Sequence, residues 1–241
     1  MSWRNTMENT NWLKQASDQP LFSDTLWSRP ENRRLAGKLQ IFGGHAQSFN
    51  DVSLAYSSAG QAGIGTAHVL LPDKLQNILR NVFPEAEYAP STPIGSFSRQ
   101  ALGSWLDSAG WADATLLAGD FGRNSETAIL LDSFADKYPG KLALSGDSLD
   151  VFLPKPAELL LREGTLIVSD LPRIQKLAQP DSLIKQTDDL AGLVRRLSEW
   201  SAQIKSAVIT EHREQLIVAY QGRVSTTPAK RDVTLAELAA Y

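Results

Sequence analysis

The chain has 241 residues, of which 42% are hydrophobic, and a formal net charge of −3 at pH 7. That balance gives no global drive toward nucleic acid or an anionic membrane. With no cysteine present, disulfides, thiolate catalysis and cysteine-ligated metal centres are excluded, and His45, His68 and His212 stand too far apart for metal-ligand spacing.

Residues 1–36 read as an irregular, partly helical arm, in which Trp12, Leu13, Phe22, Leu26 and Trp27 are expected to pack on the body. A helix over 30–35 would lead into the first strand. The polar start has no apolar centre for a signal peptide, and no segment approaches the length of a membrane span, so a soluble, cytoplasmic protein is expected. No glycine/serine or proline-rich linker interrupts the rest, so residues 37–241 are expected to form one α/β domain.

The most informative stretch opens that domain. Residues 38–42 form a short apolar run that stops at Gly43-Gly44. Over 51–62 small and apolar residues (Val52, Leu54, Ala55, Ala59, Ala62) recur at helical spacing, with Asp51 near the N-terminus. Gly63 and Gly65 stop this helix, and 66–71 resumes as a strand closed by Pro72. One βαβ unit with parallel strands and a right-handed crossover follows.

Farther along, a short helix is expected over 75–82, a loop over 84–93 and a helix over 97–109. A buried strand over 114–117 ends in Gly119-Asp120-Phe121-Gly122. The next helix, 125–138, takes Asn124 or Ser125 as its cap and turns Ile129, Leu130 and Phe134 inward. Strand 142–144 ends at Ser145-Gly146-Asp147. Helix 156–162, strand 165–168 and helix 172–177 come next, and 190–205 is the clearest amphipathic helix, with Leu193, Val194, Leu197 and Ile204 on one stripe. Strands 207–209 and 215–220 join through a polar turn at 211–214, a last strand covers 223–225, and 232–241 is a terminal helix. The alternation predicts a three-layer α/β/α sandwich, mostly parallel, with an antiparallel C-terminal end.

Several residues carry two readings each. Gly43-Gly44 either lets a ligand approach a helix N-terminus or simply makes a tight turn. Asp147 is a general base at the sheet edge or a cap for the following turn. Asp120 shares a ligand site with Asp147 or serves turn chemistry. Asp232 is a catalytic aspartate or an N-cap with Glu237 downstream, and Arg123 a phosphate contact or an exposed surface group. His45, directly after the glycine pair, can reach a ligand there. His68 reads as packed or surface, and His212 as solvated in its hairpin. Trp105 and Trp200 fall on core helical faces, whereas Trp3, Trp12 and Trp27 cover the sheet edge or meet a partner subunit.

Four stretches, GKLQIFGGHAQSFNDVSLAYSSAGQAGIGTAHVLLPD, ATLLAGDFGRNSETAILLDSF, KLALSGDSLDVF and AVITEHREQLIVAYQGRVS, carry a resemblance across residues 37–226. In order and spacing the chain resembles the ADP- or ATP-dependent NAD(P)H-hydrate dehydratases of the ribokinase-like superfamily, a metabolite-repair family. Gly43, Gly44, Gly63, Gly65, Gly122, Arg123, Asp147 and Leu149 match the family's motifs literally. The resemblance implies a ribokinase-like fold and ADP or ATP, with or without Mg, as cofactor. It implies hydrated NADH or NADPH as substrate, a carbon–oxygen lyase reaction and a homo-oligomer. It places Gly43, Gly44, His45, Gly63, Gly65, Asp120, Gly122 and Arg123 in the binding set, and Asp147 and Asp232 in the catalytic set. No metal ligand of the protein's own is expected, nor a nucleic-acid or membrane partner.

The chain departs from the family at its phosphate-handling segments. The family's TPHPGE reads Ser169-Asp170-Leu171-Pro172-Arg173, its lysine-glycine pair reads Glu211-His212, and its GTGD loop has only Lys230-Arg231-Asp232-Val233 in its place. A second reading, from a different class, is therefore a non-catalytic oligomeric scaffold or interaction protein on the same fold.

Overall fold

The computed structural model of the protein describes residues 11–15, 21–24, 30, 32, 35–81, 83–178, 189–229 and 234–240. The expected strands at Lys38–Gly43 (β2), Thr66–Pro72 (β3), Ala114–Gly119 (β5), Lys141–Ser145 (β6), Thr165–Val168 (β7), Ala207–His212 (β8), Gln215–Tyr220 (β9) and Arg223–Pro228 (β10) all form. Trp12–Lys14 (β1) and Glu87–Ala89 (β4) add two short ones. Together they make one sheet in the order β1-β10-β9-β8-β7-β6-β5-β2-β3-β4. Only β9 runs against its neighbours; every other adjacent pair is parallel.

This order fixes where a ligand site can lie. The chain travels outward from β2 through β3 to β4, then returns to β5 on the other side of β2 and continues through β6 and β7. The loops after β2 and β5 thus diverge to opposite sides, opening a crevice at the carboxyl ends of those strands.

Both sheet faces are buried, as near-continuous apolar runs in parallel strands require. Along β2, Phe42 joins one core and Leu39 and Ile41 the other. The larger core lies under Leu102–Trp111 (α3), Ser125–Lys137 (α4), Pro156–Leu160 (α5), Leu171–Leu177 (α6) and Leu190–Ser201 (α7). Its centre is aromatic: Trp105 stacks on Phe42 with ring centroids 4.4 Å apart and meets Phe97 and Phe134 edge-on. The smaller core is built from aliphatic side chains under Asn50–Ala62 (α1) and Leu235–Ala240 (α8), which pack on each other, and it takes in Leu79 of the short helix Gln76–Leu79 (α2). A three-layer α/β/α sandwich results, with its antiparallel element near the C-terminal end.

Helix ends follow local chemistry. Asn124 Oδ1 accepts from the N–H groups of Glu126 (2.8 Å) and Thr127 (3.3 Å), so the cap of α4 is Asn124. Asp189 does the same for α7 through Gly192 N. Gly63, at φ +91°, ends α1 in the left-handed region.

Six expectations need correction. Ile129 faces outward, 52% exposed, because the buried stripe of α4 runs through Thr127, Leu130, Leu131 and Phe134. β4 lies inside the expected loop, too short between its flanking prolines to show an alternating pattern. β1 arises within the expected irregular arm, held by long-range pairing with β10. The helix expected over 97–109 begins at Leu102, after a 3-10 turn at Arg99–Ala101. His212 is half-buried rather than fully solvated: it ends β8 with Nε2 buried and unpartnered among the described residues. Phe22, by contrast with the packing expected of the arm, is 56% exposed.

Candidate functional site

Three loops meet over the crevice, each carrying one aspartate. Asp51 sits in the first turn of α1, Asp120 follows β5, and Asp147 opens the 3-10 turn Gly146–Phe152 after β6. Glycines let them converge. Gly44 takes φ +84° and donates to Gly119 O at 3.1 Å, which ties the β2 and β5 loops together. At Gly119, φ +120°, a Cβ would stand 2.5 Å from Asp51 Oδ2, and at Gly146, φ +59°, a Cβ would stand 3.3 Å from the same atom. The Asp51 carboxylate therefore fills the notch that the two glycines leave.

The other two carboxylates engage backbone donors. Asp120 Oδ2 accepts from the N–H of Asp51 at 2.9 Å and so caps α1 from across the crevice. Asp147 accepts from Phe121 N at 3.2 Å and Gly122 N at 3.1 Å. Asp120 holds φ +58°, a left-handed conformation uncommon outside glycine but tolerated by aspartate. Its carbonyl lies 2.8 Å from His45 Nδ1, which anchors the imidazole beside Gly122.

The crowding of charge shifts two of these groups. Burial, then the charges of Asp120 and Asp147, push the Asp51 carboxyl up to about 6. Asp147 is also raised, by burial, against the downward pull of its two backbone hydrogen bonds. Arg173, a cation that feels the charge of Asp147, is committed elsewhere: its Nε lies 2.9 Å from Asp150 Oδ1 and a terminal nitrogen 3.1 Å from Asp170 Oδ2. Asp150 is the main cause of a raised Arg173 guanidinium. Chemically, Asp51 can hold or release a proton near neutrality beside two further carboxyl groups.

Of the residues singled out in the sequence, the fold brings Gly43, Gly44, His45, Asp120, Gly122 and Asp147 to this crevice. Arg123 follows on the same loop, exposed and with no ion pair among the described residues. Gly63 and Gly65 lie at the opposite, amino ends of the strands, where Gly63 caps α1 and Gly65 N donates to Gly37 O at 3.0 Å. Asp232, with Lys230 and Arg231, lies outside the described residues. Trp3, Trp27 and Leu26 do so as well. Asp51 was legible only as a residue near a helix start, and Arg173 as part of a divergent motif. Neither carried a signal for its place in the site, since both arrive through tertiary pairing.

A second cleft, about 510 Å³, lies at the carboxyl ends of β7 and β8, between Asp170, Glu211, His212, Arg213 and Thr234. Asp170 Oδ1 already accepts the N–H of Arg173 at the start of α6. Thr234 and Glu237 satisfy each other in a capping box. Beneath the cleft the side-chain oxygens of Ser169 and Thr210 are buried with no partner among the described residues.

Comparison with known proteins agrees with this architecture. No protein-family model matches the chain. It is 24% identical over 174 residues to a bifunctional NAD(P)H-hydrate repair enzyme of Moorella thermoacetica, an overlap of 71% of this chain and 33% of that protein. The chain thus spans about a third of the length of the curated relative it matches. A ribokinase-like superfamily protein from Enterococcus faecalis V583 superposes with a TM-score of 0.69 at 14% identity, over 98% of this chain and 82% of the other. An ADP/ATP-dependent NAD(P)H-hydrate dehydratase from Bacillus subtilis, co-crystallised with ATP and Mg²⁺, gives a TM-score of 0.58 at 12% identity, over 87% and 73%. The fold is ribokinase-like, and among known proteins the chain is similar to NAD(P)H-hydrate repair enzymes.

Proposed function

We propose that this protein keeps the sheet edge of a hydrate dehydratase without its nucleotide-driven chemistry, and works as a non-catalytic interaction protein. One observation carries the reading: the backbone donors that an incoming phosphate would need are held by the chain's own carboxylates. Asp120 occupies the N–H of Asp51, and Asp147 occupies those of Phe121 and Gly122. A phosphate entering there would displace both groups and face three carboxylates at once.

A nucleoside triphosphate fits the β7–β8 cleft no better. Asp170 and Glu211 bring negative charge to it and outnumber the one arginine of its lining, Arg213, and Asp170 and Thr234 already share their hydrogen bonds with protein partners. Among the described residues, no three histidine, aspartate or glutamate side chains are set to hold a metal ion. Among the described residues, a triphosphate at either edge would thus meet carboxylates that already hold nearby backbone donors.

Calorimetric titration with ATP and Mg²⁺ is expected to show no heat of binding at millimolar nucleotide. Recovery of nicotinamide absorbance from hydrated NADH is expected to be independent of added ADP or ATP. Saturable binding, or nucleotide-dependent recovery, would overturn the proposal.

The catalytic reading keeps one specific support, the position of Asp147 at the end of β6 in a chain similar to a hydrate repair enzyme. On that reading the chain binds a nucleotide at this edge and dehydrates NADH or NADPH hydrate, and activity falls when Asp147→Asn is introduced.

A further inference from the structure

The outer side of α4 faces the 3-10 turn at Gly146–Phe152 and α5 across two adjoining hollows of about 440 and 240 Å³, which share Asp132 and Phe152. They form one groove some 16 Å long, the rise of α4 from Ala128 to its end and just beyond. Its floor is apolar, with Ala135, Phe152 and Leu159 buried. Each hollow has one large apolar side chain in water along it, Ile129 in the smaller at 52% exposure and Leu161 in the larger at 54%. Paired exposure of this kind along one groove marks an interaction surface more often than scattered single residues do.

Charge narrows the partner. Asp132, Asp136 and Glu158 line the groove, are exposed and make no ion pair among the described residues. Glu163 at one end is paired with Lys205, 2.7 Å away. The arginine in the wall, Arg162, does not offset them toward a ligand. Its guanidinium is consumed by the carbonyls of Tyr138, Gly140 and Ala135 and by Thr165 Oγ1. Lys155 at the far end is the other cation lining the groove.

We propose that this groove docks a cationic amphipathic helix of a partner protein, its apolar stripe between Ile129 and Leu161 and its lysines or arginines on Asp132, Asp136 and Glu158. Helix-in-groove recognition of this type needs an apolar trough about three turns long with complementary charge along the rim. The surface is separate from the sheet edge, so it stands whether or not the crevice binds a nucleotide. A free chain of the same net charge as this one is a poorer match than a basic segment, which sets self-association apart as a distinct outcome.

The test titrates the full chain at low salt with a helical peptide of about fourteen leucines and lysines, and with its leucine and glutamate counterpart. One-to-one binding of the lysine peptide is expected, weakened about tenfold by Asp132→Asn, Asp136→Asn and Glu158→Gln together. It is expected to weaken again with Ile129→Ser. A control carrying Asp107→Asn, Glu199→Gln and Glu214→Gln, all outside the groove, should bind as the wild type does. Equal affinity in the groove variant and the control, equal binding of the glutamate peptide, or no binding at all would overturn the proposal. So would light scattering that shows the groove buried by a second copy, seen as a dimer dissociated by Ile129→Ser.

Discussion

The two halves of the carboxyl edge are finished in opposite ways. At β2, β5 and β6, three aspartates satisfy loop donors and fill the notch above Gly119 and Gly146. At β7 and β8, Ser169, Thr210 and His212 bury polar atoms that find no partner among the described residues. The first half has excess acceptors and crowded charge; the second has unused hydrogen-bonding capacity. Position relative to the strands is the same in both, so fold alone does not decide what an edge can bind.

The sharpest break of that contrast is Gly119→Ala. A methyl there meets the Asp51 carboxylate and imposes φ +120° on an L-residue, for an expected loss of about 3 kcal/mol in urea unfolding. In an Asp51→Gly background the steric part of that loss should vanish, leaving a positive coupling in the double-mutant cycle. A loss below about 1 kcal/mol would mean that Asp51 does not occupy the notch.

Next in size is the charge of Asp51 itself. Its folded value of about 6 lies above the ordinary carboxyl value of 3.8, so the native state holds the proton more tightly than the unfolded chain does. The linked stability is complete below about 3.8 and is lost as pH rises through about 6. Asp51→Asn should remove that slope and, at pH 8, raise stability by up to about 1 kcal/mol, screened by solvent at this half-buried site. A wild-type stability that rises over the same interval would contradict the charge crowding.

The smallest effect belongs to the other half. Thr210→Val replaces a buried, unpartnered hydroxyl by a methyl of similar shape. It should be neutral or stabilise by less than about 1 kcal/mol, because no hydrogen bond is lost. A cost well above that would reveal a partner for Thr210 and erase the difference between the halves.

The sequence made the sheet legible where periodicity and punctuation agreed. Gly43-Gly44 and Gly63 bracketed α1 correctly because turns that demand positive φ leave a local mark. The amphipathic stripe through Leu193, Val194 and Leu197 did the same for α7. Local pattern failed where pairing across the fold set the outcome: three residues at Glu87–Ala89 become a strand because β3 lies beside them. The candidate site divided along the same line. Asp120 and Asp147 were visible as carboxylates after strand ends. Asp51 was not, since only the approach of Gly119 and Gly146, far along the chain, turns a helix-start aspartate into the centre of a cluster. Ile129 misled because an apolar residue at helical spacing reads as core, although on α4 the neighbouring Leu130 and Leu131 take that place.

The pairing of β1 with β10 has a consequence for biosynthesis. Trp12 Nε1 donates to Thr226 Oγ1 across 214 residues of chain, and the two strands run parallel. During translation at about 5–20 residues per second, the early segment waits on the order of 10–40 s before its docking strand is made. Throughout that interval Trp12 and Leu13 have no sheet to join, and the last strand to be synthesised gains its outer neighbour from the first. Ribosome stalling just before Arg223 would therefore leave Trp12 and Leu13 open to chaperones, and release of the stall would close the sheet.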